Sequence, residues 1–228
     1  MIIAVTGLAR EARLVAGPDI LPIVGGGDAA GLEQRLTAEL ANGARRVLSI
    51  GICGALCPEL RVGDAIIASE VVDRSASHLT HGRWSRDLAS RLPHAVLAPL
   101  TGTDEIAADR EAKAELRART RASAVDMESH IAARVAGKMG LPFAALRIVS
   151  DAAHRTLPEA ARVAMLPSGG IDVAAVIRAV LRAPRQLPAL IRTAWEAEIA
   201  FAALFRCCSA LDGGFAGADL GKLALDIG

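Results

Sequence analysis

The stretch Ser123-Ala-Val-Asp-Met-Glu-Ser-His-Ile-Ala-Ala133, then Gly140-Leu-Pro142 and Phe143-Ala-Ala-Leu-Arg-Ile-Val-Ser-Asp151, decides how this chain is read. Ser123–Val125 has the β-branched, apolar character of a short strand, and the residues from Met127 to Met139 carry a helical pattern. Asp126 is a good helix N-cap, and Glu128 then falls in the first turn, where the helix dipole favours a carboxylate. Gly140 and Pro142 stop that helix. Phe143 to Val149 follows as a nearly continuous apolar run, the pattern of a strand buried on both faces, with Ser150 and Asp151 at its carboxyl end. A strand, a helix and a second strand therefore bring two acids, Glu128 and Asp151, toward one end of a sheet.

The same alternation extends outward. Strands are expected at Ile2–Thr6, Leu21–Val24, Val47–Ile50, Ala65–Val72 and Val96–Leu100, with helices near Ala29–Asn42 and Asp104–Arg119. This predicts an α/β fold: a single domain in which helices flank a central mixed, mostly parallel sheet. Ligands of such sheets lie beyond the strands' carboxyl ends, which puts Gly7, Gly51, Gly102, Asp126 to Glu128, Ser150 and Asp151 on the candidate surface. Ser75 to Arg86 is polar and aperiodic and holds His78, His81 and Trp84, so it reads as a long loop, either functional or a surface connection. After Pro167 the pattern turns helical through Ile171–Leu181 and again from Gln186 to about Ser209, before a Gly-rich tail.

Composition removes several function classes. Lys and Arg number 26 against 25 Asp and Glu, so no basic field points to nucleic acid. Cys53, Cys57, Cys207 and Cys208 lack zinc-site spacing and read as free thiols, and no metal is expected. Gly25-Gly26-Gly27 lacks the G-x-G-x-x-G spacing of a dinucleotide fingerprint. The start Met1-Ile-Ile-Ala-Val5 has no signal-peptide character, so a cytoplasmic location is expected, with peripheral attachment at the inner membrane as its extension. Hydrophobic residues make up 52% and mean hydropathy is +0.36, a surplus that a large buried sheet or an assembly of a dimer or more must absorb.

Taken together, Val125-Asp-Met-Glu128, Gly140-Leu-Pro-Phe143 and Arg147-Ile-Val-Ser-Asp151 resemble the signature of the purine nucleoside phosphorylase and uridine phosphorylase superfamily, above all its methylthioadenosine/S-adenosylhomocysteine nucleosidase branch. Met1 to Arg13, Ser49 to Leu56 and Arg61-Val-Gly-Asp-Ala65 extend the likeness over about residues 1 to 175. The resemblance implies a nucleoside phosphorylase fold and cleavage of the N-glycosidic bond of a purine nucleoside without a cofactor, phosphate being a co-substrate if it replaces water. It implies that Asp151, oriented by Ser150, protonates or hydrogen-bonds purine N7, for which burial beside an apolar strand would raise its pKa. Glu128 would accept from the ribose hydroxyls and Met127 would pack on the sugar; Ile106 stands where the family often has a base-stacking aromatic.

The nucleophile region departs from the nucleosidases. Ala12 stands where they carry a water-activating glutamate, Glu11 is one residue off, and Ile52 replaces a serine. The nucleophile is therefore left open between water and phosphate; phosphate would be held by the backbone N–H groups of Gly7 and Gly51 to Cys53 with help from Arg10. Residues 1–183 form the family-like part and 184–228 an extension whose amphipathic helix, with Leu187, Leu190, Ile191, Ala194, Trp195, Ala202 and Phe205, either packs on the core or faces lipid. The combination of a shortened amino-terminal half, the Ala12 departure and this apolar tail resembles the hopanoid-associated phosphorylases, which implies adenosylhopane as a lipid-linked nucleoside substrate. The alternatives are a methylthioadenosine/S-adenosylhomocysteine nucleosidase and a non-catalytic nucleoside or lipid sensor.

Overall fold

Ile2–Thr6 is buried at every position and forms β1, the strand on which the first half of the sheet is laid. The computed structural model describes residues 1–162, 166 and 168–211. In chain order it contains β1, α1 (Ala9–Val15), β2 (Ile20–Val24), α2 (Ala29–Ala41), β3 (Arg46–Ala55), β4 (Ala65–Val72), β5 (Ser77–Leu79) and α3 (Gly82–Arg91). There follow β6 (Val96–Gly102), α4 (Arg110–Thr120), β7 (Ala124–Asp126), α5 (Ser129–Lys138), β8 (Phe143–Asp151), α6 (Glu159–Arg162), α7 (Val173–Arg182) and α8 (Leu187–Ala210).

The sheet has eight strands and is mixed, as the alternation predicts. Its order is β2-β1-β3-β7-β6-β4-β5, and β8 pairs with both β3 and β4. Pairing of β3 to β8, β8 to β4, β4 to β6, β6 to β7 and β7 back to β3 closes five strands on one another. Closure leaves these strands without a free edge. β8 is apolar on both faces because helices pack on each side of the sheet.

Those two layers are distinct. Leu32, Leu36 and Leu40 of α2 and Ile131, Ala132 and Val135 of α5 pack on one face. Val15 of α1, Trp84 and Leu88 of α3, and Ala200, Phe201 and Leu204 of α8 pack on the other. The second half of α8 is therefore a core helix, while its first half is exposed.

Several expectations need correction. The expected long loop at Ser75 to Arg86 contains β5 and the first turn of α3: the His81 ring accepts from the Trp84 N–H as an N-cap, and Trp84 is buried, so its polar sequence is capping chemistry around one large core residue. The helix expected from Asp104 begins at Arg110, capped by Asp109. β3 runs on past Ile50 to Ala55 because its neighbours β8 and β7 supply pairing there. Glu128 occupies the N-cap position of α5 rather than its first turn, and Asp126 does the capping, accepting from the Ser129 N–H at 2.9 Å. The Gly-rich tail lies outside the described residues.

Candidate active site

The carboxyl ends of β1, β2 and β7 and the middles of β3 and β8 meet at a buried cluster of charge. At its centre is Arg147, a single cation in the apolar run of β8 and wholly buried. Its Nη2 donates to Ser49 Oγ at 2.6 Å and to Ser129 Oγ at 3.1 Å, pairs with Asp126 Oδ2, and lies 3.7 Å from Glu128 Oε2. Ser129 Oγ in turn lies 2.7 Å from Asp126 Oδ2. A buried charge is tolerable only with such a shell of partners.

Glu128 is held against the turns that end β1 and β2. A Cβ at Gly7 would stand 3.0 Å from its Oε1, and one at Gly25 would stand 2.8 Å from its Cγ, so both glycines are small because this carboxylate lies there. Burial raises the Glu128 pKa to about 8, with Asp126 and Glu11 adding repulsion against the pull of Arg147.

Glu11 is the residue that counting along the sequence set aside. It is buried, and its carboxylate accepts three backbone N–H bonds of 2.8 Å, from Gly7 and Leu8 on Oε2 and from Ile52 on Oε1. A Cβ at Gly51 would meet Glu11 Oε1 at 2.5 Å. Burial raises its pKa too, opposed by the Arg147 charge and by these N–H donors. The expected phosphate cradle is corrected accordingly: the N–H groups of Gly7 and Ile52 already serve a carboxylate, whose charge would repel phosphate. Ile52 packs its side chain beside the second core layer.

Arg10 is corrected as well. It forms a bidentate pair with Glu198 of α8, one arm of 2.7 Å, and lies 4.1 Å from the Phe201 ring centroid. It clamps α8 to α1. Because this pair is exposed, Arg10→Ala should cost no more than about 1 kcal/mol in a denaturant titration and leave the phosphate dependence of any reaction unchanged.

At the other end of the site, Asp151 Oδ1 lies 2.9 Å from Ser150 Oγ, which also lies 3.0 Å from the Cys53 carbonyl. Its Oδ2 accepts from Lys113 Nζ, a buried ammonium from α4 whose remaining donors reach Ala152 O at 3.1 Å and Arg155 O at 3.2 Å. Sequence reading expected an acid in apolar surroundings; the structure supplies an ion pair instead. No sequence signal marks Lys113, because a lysine on an amphipathic helix ordinarily faces water. Arg147 did carry one: a charge inside an otherwise apolar strand needs a buried partner.

β3 spaces the two ends. Glu11 meets it at Gly51 and Asp151 at Gly54, where a Cβ would be 3.2 Å from Asp151 Oδ2. Three residues of strand span about 10 Å, the reach of a nucleoside from base to ribose. Met127, half-buried, lies between Asp126 and Glu128, and Ile106 is 39% exposed on the loop after β6, whose Thr103 N–H is tied to the Asp126 carbonyl. Among the described residues no cluster of His, Cys, Asp and Glu is placed to hold a metal ion.

The raised carboxylate pKa values give a paired expectation. A carboxyl whose folded pKa exceeds its unfolded value stabilises the fold below the unfolded pKa and loses that contribution as pH climbs through the folded one. Melting temperature should therefore fall between about pH 4.5 and about pH 8 on account of Glu128. If ionised Glu128 binds substrate, kcat/KM should rise across the same window, and Glu128→Gln should flatten both trends.

Comparison with known proteins agrees with this architecture. The profile of a family described as the phosphorylase superfamily matches residues 1–182. No curated protein matches the chain. Among solved structures, a futalosine hydrolase of Helicobacter pylori superposes with a TM-score of 0.63 at 15% identity, covering 92% of this chain and 96% of its own. A 5'-methylthioadenosine/S-adenosylhomocysteine nucleosidase of Campylobacter jejuni gives 0.60 at 16% identity, with 90% and 98% covered. One from Colwellia psychrerythraea, solved in complex with adenine, gives 0.60 at 15% identity, with 90% and 94% covered.

Proposed function

Because this chain belongs to the phosphorylase superfamily, and is thus an enzyme acting on nucleosides, we propose that it hydrolyses the N-glycosidic bond of a 5'-substituted adenosine and releases adenine. The observation that carries the choice of water over phosphate is the Glu11 carboxylate seated on the Gly7, Leu8 and Ile52 N–H groups.

Cleavage of a ribosyl C–N bond develops positive charge on the sugar and negative charge on the base. When Glu11 and Glu128 ionise, they and Asp126 outnumber Arg147, and the sugar end of the site becomes net negative. Glu128 accepts from the ribose hydroxyls, Met127 packs on the sugar, and Glu11 takes the proton of the attacking water. At the base end the proton that Lys113 donates to the Asp151 carboxylate passes through Asp151 to N7 as the C–N bond breaks, and solvent restores it to the pair after adenine leaves. Ser150 fixes the orientation of that carboxyl group, and Ile106 covers the purine.

The 5' substituent is apolar in this reading, on the strength of the family likeness; the trough of about 300 Å³ between the loop after Asp151 and the first turns of α8 lies at the base end, has Arg155, Arg192 and Glu196 in its lining beside Leu157, Pro188 and Ala189, and adds no support. Adenosylhopane is the example that the likeness to hopanoid-associated phosphorylases implies. The test is to incubate the protein with adenosine, methylthioadenosine and a 5'-lipid adenosine, with and without phosphate, and to follow adenine and the sugar product. Free sugar without added phosphate is expected. A sugar 1-phosphate formed only with phosphate would reverse the assignment of the nucleophile, preference for methylthioadenosine would remove the apolar tail, and binding without release from any of the three would make the protein a sensor.

A further inference from the structure

Among the described residues, nine of the sixteen exposed large hydrophobic side chains fall between residues 171 and 205. On α7, Val173, Ile177 and Leu181 recur at i, i+4 and i+8 and are 62%, 53% and 75% exposed. On the first half of α8, Leu187, Ile191 and Trp195 repeat that spacing at 44%, 62% and 69%. A soluble helix ordinarily turns such a ridge inward. Here the inward position is filled by others: Ala179 is the buried residue of α7, and the buried residues of α8 begin at Ala200. The two ridges meet at a tight connection in which Leu181 to Arg185 are all exposed, while Gln186 ties it down by donating to Ala179 O and accepting from the Ala160 N–H.

Charge identifies the partner. Arg178, Arg182, Arg185 and Arg192 flank the ridges and are exposed, whereas the acids from 171 to 195 reduce to Asp172, already spent as the α7 cap. We propose that this helical hairpin docks the protein on an anionic bilayer surface, its apolar ridges entering the interface and its arginines reaching the lipid phosphates. A second copy of the chain is a poor occupant, because a two-fold contact through this face would set arginines against arginines, while the next acids of α8, Glu196 and Glu198, are already paired with Arg155 and Arg10. No described helix is long and apolar enough to cross a membrane, so the contact is with the surface. The proposal stands on the exposed helices and does not depend on the nucleoside assignment.

The chain carries its own reporter. Trp195 is 69% exposed and Trp84 is 1% exposed, and they are the two tryptophans, so a change of emission on docking comes from Trp195. The full chain is mixed with phosphatidylcholine vesicles with and without about one-third phosphatidylglycerol, and emission is read beside co-flotation. The expected result is a blue shift and at least about tenfold more bound protein on the anionic vesicles, weakened by salt. Ile177→Glu with Ile191→Glu should abolish flotation while circular dichroism stays unchanged, since both positions are exposed; Leu79→Glu, at an exposed apolar position on β5, should leave flotation intact. Equal binding to both vesicle types, no blue shift, or flotation that survives the double variant would overturn the proposal. So would light scattering that shows a dimer dissolved by that variant, which would make the face a contact between copies.

Discussion

Replacing Arg147 with methionine is expected to destabilise the protein by about 3–5 kcal/mol, the usual result of removing one partner from a buried ionic network. Methionine fills much of the same volume, so the cost is electrostatic. Asp126 loses its buried pair, Glu128 and Glu11 lose the charge that opposes their burial, and Ser49 and Ser129 lose a shared donor. A urea titration at neutral pH measures the loss. Its electrostatic origin is checked by pH: the orphaned carboxyls take up protons in acid, so the deficit relative to the parent should shrink between pH 8 and pH 5. A deficit independent of pH would mean that Arg147 serves packing alone.

Arg147 also shows how much of the site the sequence discloses. Its strand was legible because seven consecutive residues, Phe143 to Val149, contain one charge, and such a run fits only a strand buried on both faces. The sheet, the order of its strands along the chain and the placement of Ser150 and Asp151 at a carboxyl end follow from the same kind of pattern. What remains hidden is reach. Lys113 approaches Asp151 from a helix 38 positions earlier, and no periodicity specifies which face of α4 will turn an ammonium inward. The polar stretch from Ser75 to Arg86 misled because His, Ser and Thr serve equally in loops and in caps. The outer ridge of α8 and its buried second half share one amphipathic sequence; only the position of the helix on β8 separates them.

The largest effect on catalysis is expected at Glu11. Glu11→Gln should lower kcat by about 10²–10⁴-fold, the range for removal of a general base, with KM for the nucleoside little changed. Glutamine is nearly isosteric and its carbonyl oxygen can still accept from the backbone, although its amide nitrogen would face one of the N–H donors of Gly7, Leu8 or Ile52. Glu11 fills this place because α1 starts at Ala9, which makes Glu11 its third residue, and side chains in a helix lean toward the N-terminus. It thereby reaches back over Leu8 and Gly7. The substitution also separates the two nucleophiles. If water attacks, the variant is slow at every phosphate concentration. If phosphate attacks, loss of the negative charge should strengthen phosphate binding and raise the rate, and such a gain would overturn the hydrolytic mechanism while leaving Asp151 and Glu128 in their roles.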